Sequence, residues 1–339
     1  MQREAFFDNA KVLLIFFVVF GHVIQPLTLD SDPIQVLYHW VYFFHMPAFI
    51  LLSGFFAKGI GSKSYISKLF KKLIVPYILF HILYTGYYLL LGMDGWQTTF
   101  IYPRWSLWFL LSLFCWHLLL IIFKKLPPLL SMSTAVGIAV AIGYIDWVGH
   151  TLSLSRTFVF FPFFLLGYWL TKDQLLKVKT KTVKTISIVV MSIVAIGLVI
   201  APPFANEWLL ASHSYQALGF PVLGGGFRLG VFVVATLMIV SILAWVPTKH
   251  NIFTHIGEKT LYVYLLHGIF IQFFRQTELL KVSNFFDMIG LVIISFAIVL
   301  VLASKPVRMV AQPLVEGRFT MLRERFQSSP KYKTSNTST

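Results

Sequence analysis

Residues 8–25 read DNAKVLLIFFVVFGHVIQ, an apolar run that opens with a charged pair, Asp8 and Lys11, and carries a histidine, His22, read as lying at its middle. A helix built only to anchor a protein uses Leu, Val and Phe throughout, because polar side chains in hydrocarbon are costly and are kept for function. The whole chain has the same character. Of its 339 residues 57% are hydrophobic and 12% charged, against about 45–50% and about 25% in soluble domains. The chain therefore reads as an all-α integral membrane protein. The net charge of +15 does not point to nucleic acid, because Lys and Arg stand in short runs between apolar stretches, as orientation signals do. Cys115 is the single cysteine and lies in an apolar run, which excludes a disulfide framework and a cysteine metal cluster.

A spanning helix needs about 20 mostly apolar residues, and ten stretches qualify, centred near residues 20, 46, 82, 115, 138, 165, 193, 236, 266 and 295. The expectation is a bundle of about ten transmembrane helices with both termini cytoplasmic. In that orientation only Arg104, Arg156, Arg228, Arg275 and Lys281, of 28 Lys and Arg, fall outside, in accord with the positive-inside rule. Residues 1–305 form the membrane domain. Residues 306–339 form a basic, partly disordered cytoplasmic tail whose basic part can rest on anionic lipid. The first apolar run has no small-residue cleavage site and is expected to stay attached.

Lys11 and His22 are eleven residues apart, three helical turns plus about 20°, so they share a face about 16 Å apart along the axis. Asp8 is the neighbour of Lys11 in the first turn. His22 is expected near the membrane midplane, with His45, His81 and His267 at similar depth on other helices. Several histidines at one depth imply a polar interior, and an imidazole kept neutral there can accept a proton. Three histidines can hold zinc, but these come one per helix without an HExxH pair, and no metal is expected. Arg104, Arg156 and Arg228 stand at outer helix starts beside aromatic residues. They suit a sugar or lipid-phosphate platform, or equally an interfacial belt. Arg156 is the strongest functional candidate among them. Ser53 and Gly54 suit a close helix crossing, with Ser53 also a candidate for the acyl pocket. Glu258 can orient a base or pair with Lys259.

Taken in order, Asp8, Lys11 and His22 in FGH, then FHMPAFILLSGFF (44–56), basic residues before IVPY (74–77), SLWFLLSLF (106–114), FFPFFLLGYWL (160–170) and GEKTLYVYLLH (257–267) resemble the acyltransferase 3 family of membrane O-acyltransferases, in particular its fucose 4-O-acetylase-like branch. The resemblance implies transfer of an acyl group, usually acetyl from cytoplasmic acetyl-CoA as co-substrate, to a hydroxyl of a surface or exported glycan or lipid-linked sugar. The implied setting is the plasma membrane, with no bound cofactor. It makes His22 the general base, with Asp8 and Lys11 beside it in the catalytic set. Lys11 stands where the family commonly has Arg, and lysine keeps the charge but loses the bidentate fork. The family's basic cluster maps onto Lys71 and Lys72, facing the CoA phosphates with Lys11. His45, Ser53, Arg156 and His267 are left to line the acceptor pocket. From another class, a glycan transporter using intramembrane histidines as a proton relay also fits ten helices and a polar interior.

Overall fold

In the computed structural model, residues 4–29, 31–59, 63–93, 101–149 and 151–316 are described, and all of them are helix or connecting turn. In chain order the helices are α1 (Ala5–Ile24), α2 (Asp32–Tyr42), α3 (His45–Phe55), α4 (Lys63–Leu90), α5 (Trp108–Phe123), α6 (Pro128–Ala141) and α7 (Leu154–Trp169). They continue with α8 (Lys172–Lys177), α9 (Lys181–Ile200), α10 (Glu207–Leu210), α11 (Gly224–Trp245), α12 (Thr260–Thr277), α13 (Phe285–Ala303) and α14 (Lys305–Glu316). Among the described residues eight spans are long and apolar enough to cross a membrane: α1 with its 3-10 extension, α2 and α3 together, α4, α5, α7, α9, α11 and α13. The two other stretches that the hydropathy pattern marks are helical too. One is α6, continued to Tyr144 as a shorter apolar helix. The other is α12, whose 18 residues include His267, Gln272 and Arg275.

Apolar packing in lipid needs close backbone approach, because hydrocarbon tails compete equally for large side chains. The crossing of α3 with α7 supplies it. A Cβ on Gly54 would lie 1.9 Å from the Phe164 carbonyl oxygen, and one on Gly167 would lie 1.9 Å from the Leu51 oxygen. Each glycine is a gap into which the other helix's backbone fits.

Polar ties hold the end of the bundle where α1 begins. Asn9 donates to the carbonyls of Pro247 and Lys249, 2.9 Å each, while its Oδ1 accepts from Thr254 Oγ1 at 2.7 Å and from Asn251 Nδ2 at 3.3 Å. This one amide pins the α11–α12 connection to the first turn of α1. Lys179, between α8 and α9, donates to the last carbonyls of α11, at Leu243 (3.2 Å), Ala244 (3.0 Å) and Val246, a cation at the negative end of a helix. The start of the expected tail forms α14, which packs on α4, α12 and α13 and buries Ala311, Pro313 and Val315. Tyr262 donates to Glu316 Oε1 at 2.7 Å. The rest of that tail, 317–339, lies outside the described residues.

The α3–α7 crossing makes a comparison between two glycines informative. Gly54→Ala must push two backbones apart, a strain of about 1–3 kcal/mol, and is expected to lower the melting midpoint in detergent. Gly86→Ala, where a methyl meets nothing within 4 Å, is expected to leave it unchanged or raise it. A Gly54→Ala midpoint at or above wild type would mean that the helices do not approach this closely.

Candidate active site

The span that α2 and α3 share is broken at Phe43 and Phe44. Pro47 has no N–H to continue the ladder, so α3 restarts at His45. At the break the Val41 carbonyl receives the Phe44 N–H at 3.2 Å and His45 Nδ1 at 3.0 Å. A carbonyl can only accept, so this nitrogen carries its proton. His267 on α12 is held in the same way, with Nδ1 2.6 Å from the Tyr264 oxygen and 3.1 Å from the Val263 oxygen. Its Nε2 is buried with no partner among the described residues. In the neutral ring that atom holds a lone pair.

His22 faces this group. Its ring centroid is 5.5 Å from that of His267 and 4.4 Å from that of Trp105, and Trp105 in turn is 5.1 Å from His267. The Tyr42 hydroxyl is 3.3 Å from His22 Nδ1, and the Tyr42 ring is 4.4 Å from His45. Trp105 holds this place with φ of 37°, a left-handed conformation that costs a non-glycine residue about 1–3 kcal/mol and recurs at functional sites. Arg275 closes the far side. Its Nη2 donates to Gln25 Oε1 at 2.6 Å and its Cζ lies 5.4 Å from the Trp105 ring. Gln25 Nε2 is 3.4 Å from the Tyr38 hydroxyl. His22 and Arg275 line a cavity of about 520 Å³ between the end of α1, Ser31 and Ile34, and the segment after α12, a size usual for a small-molecule site. The cavity opens at the end of α1 remote from Asp8 and Lys11.

Thus His22, His45 and His267, expected on separate helices, come together. Two expectations change. His22 is not at the centre of its span but in the last turn of α1, about five residues, or some 7 Å, beyond the middle of 5–29. Trp105, read with the outer aromatic belt, is in the wall of the histidine cluster, because the 3-10 turn Trp105–Leu107 folds it inward.

Asp8 and Lys11 do not join the cluster. They pair with each other, Nζ to Oδ1 at 2.7 Å, and Lys11 lies 5.6 Å from the Phe56 ring at the other end of α1. Lys71 and Lys72 are exposed in the first half of α4. Ser53 donates its hydroxyl to the Phe49 carbonyl at 2.9 Å and is not in the wall of this cavity. Arg156 donates to the Leu210 carbonyl at 3.1 Å and sits 5.2 Å from the Trp108 ring. Arg228 donates to the Trp208 carbonyl at 2.7 Å, a structural tie of the α9–α11 connection. His81 is buried on α4, near Tyr77. Reading the sequence passes over Tyr42, although it stands one turn before His45, and over Arg275, which looks like any outer arginine.

The comparisons with known proteins bear on the family. The chain is 22% identical to the nodulation protein NolL of Sinorhizobium fredii over 320 residues, 84% of this chain and 82% of that protein. Over a shorter stretch of 61 residues, 17% of this chain and 16% of the relative, it is 36% identical to nodulation protein NolL of Mesorhizobium japonicum. No solved structure matches the chain significantly. The family model of the acyltransferase domain matches residues 4–304, nearly all of the helical bundle, and the chain belongs to the acyltransferase 3 family.

Proposed function

We propose that this protein is a plasma-membrane O-acyltransferase that moves an acyl group, acetyl in the simplest case, from acyl-CoA to a hydroxyl of a glycan or lipid-linked sugar. In this reading ten helices cross the membrane, with α6 and α12 completing the set and both termini cytoplasmic. The observation that carries it is the position of His22, in the wall of a 520 Å³ cavity and 5.5 Å from His267, at the opposite end of α1 from the Asp8–Lys11 pair. The donor enters at the basic end, its phosphates near Lys11, Lys71 and Lys72. Its pantetheine arm covers the roughly 16 Å of helix between Lys11 and His22. The acceptor enters from the cavity.

His22 takes the proton of the acceptor hydroxyl as that oxygen attacks the thioester carbonyl. The new C–O bond forms, the C–S bond breaks, and the imidazolium returns the proton to the departing CoA thiolate. His267, its Nδ1 bound to backbone carbonyls, stands behind His22 with Tyr42 and His45, and in this reading they and Arg156 serve the acceptor side.

The first test is release of CoA thiol from acetyl-CoA by purified protein, with and without a glycan extract. Glycan-dependent release is expected. Absence of both release and acetyl-CoA binding would overturn the reading. General base catalysis is worth about 10² to 10⁴ in rate, so His22→Ala is expected to lower transfer by that factor without changing the melting midpoint. A loss below tenfold would reduce His22 to a positioning residue. Lys11→Ala is expected to raise KM for acyl-CoA with kcat nearly kept, the pattern of lost ground-state binding. An unchanged KM would remove Lys11 from the donor site.

A further inference from the structure

From the Arg275 side of the cavity we infer that the acceptor carries an anionic group, a phosphate or a carboxylate, close to the hydroxyl that is acylated. This rests on the acyl-transfer reading of the same chamber.

Arg275 is half-buried, and the only side chain it hydrogen-bonds among the described residues is the neutral amide of Gln25. Its Nε is buried without a partner among the described residues. Among the described residues no carboxylate forms an ion pair with it: the pairs present are Lys11–Asp8, Lys172–Glu4 and Lys259–Glu258. A guanidinium taken out of water without a counter-charge is costly, and a neutral amide does not cancel that charge. Gln25 and Trp105 nonetheless fix it in place, one through the 2.6 Å hydrogen bond and the other through its ring face. A fork held so is arranged for bidentate contact with a planar carboxylate or a phosphate.

The surroundings agree in sign. At the mouth of the cavity stand Glu278 and Lys281, one of each charge and both exposed, so they offset each other and are screened by salt. The net attraction inside is for an anion. His22 and Arg275 flank the same indole, 4.4 Å and 5.4 Å from it, so an occupant that offers its hydroxyl to His22 and its anion to Arg275 is about one sugar ring across. A polyol phosphate, a sugar 1-phosphate or a uronic acid unit has that form.

The test compares charged and neutral versions of one sugar. Binding of glucuronic acid against glucose, and of N-acetylglucosamine 1-phosphate against N-acetylglucosamine, is measured by thermal shift on purified full-length protein in detergent. Wild type is expected to bind the charged member of each pair at least tenfold more tightly. Arg275→Gln is expected to erase the difference, and Arg275→Lys to keep part of it, which separates lost charge from lost fold. Affinity for CoA is expected to be the same in all three proteins. Equal binding of charged and neutral sugars by wild type, no binding of either anion, or undiminished discrimination in Arg275→Gln would overturn the proposal. So would a loss of CoA affinity in Arg275→Gln, which would give the arginine to the donor's phosphates. A wild type that prefers the charged sugars but releases no CoA from acetyl-CoA would keep the anion site and overturn the acyl-transfer reading instead.

Discussion

Inside hydrocarbon a polar group has no water to fall back on, so each one must be satisfied by the protein or by what the protein binds. Helix α1 concentrates that demand at its two ends. Near its start, Asp8 is answered by Lys11 and Asn9 by four partners in the α11–α12 connection. Near its end the account does not close internally. His22 has the Tyr42 hydroxyl at a long 3.3 Å, His267 Nε2 and Arg275 Nε have no partner among the described residues, and a cavity lies beside them. On the proposed function, the saturated end is structure and the unsaturated end is where substrate binds.

The rest of the bundle reads as support for that asymmetry. The break between α2 and α3 brings Tyr42 and His45 to the chamber, and the backbone carbonyl of Val41 sets the tautomer of His45. On the other side, Tyr84 and Tyr87 of α4 donate to the Leu265 and Ile269 carbonyls at 2.7 and 2.9 Å, clamping α12 on both sides of His267. Tyr264 ties the same helix to the Ser106 carbonyl beside Trp105. These contacts hold rings and carbonyls in fixed relation, which is what proton transfer between positioned groups requires.

Much of this is legible in the chain. Ten apolar runs announce their helices by length and composition, eight of them long and apolar enough to cross a membrane among the described residues, and the histidines stand out because polar residues in such runs are rare. The glycine of LLSGFF and that of FFLLGYWL can be read as packing sites, though not that they face each other across one crossing. What the sequence hides is tertiary. Trp105 and Arg275 look like ordinary outer-rim residues until a 3-10 turn and the last turn of α12 fold them inward. Asn9 looks like a helix start until the α11–α12 connection closes on it. Ser53 donates to a carbonyl of its own helix, as Ser commonly does within a helix. The depth of His22 could not be placed without knowing where α1 gives way to the 3-10 turn after Ile24.

The central claim is that donor and acceptor meet at His22 from opposite ends of α1. A structure with a non-transferable acyl-CoA analogue bound tests it most directly. The account predicts the nucleotide phosphates beside Lys11, Lys71 and Lys72, and the thioester-equivalent carbon within hydrogen-bonding reach of the acceptor position, about 3–4 Å from His22. An analogue lying wholly in the Arg275 cavity, with Lys11 and the inner lysines untouched, would contradict it.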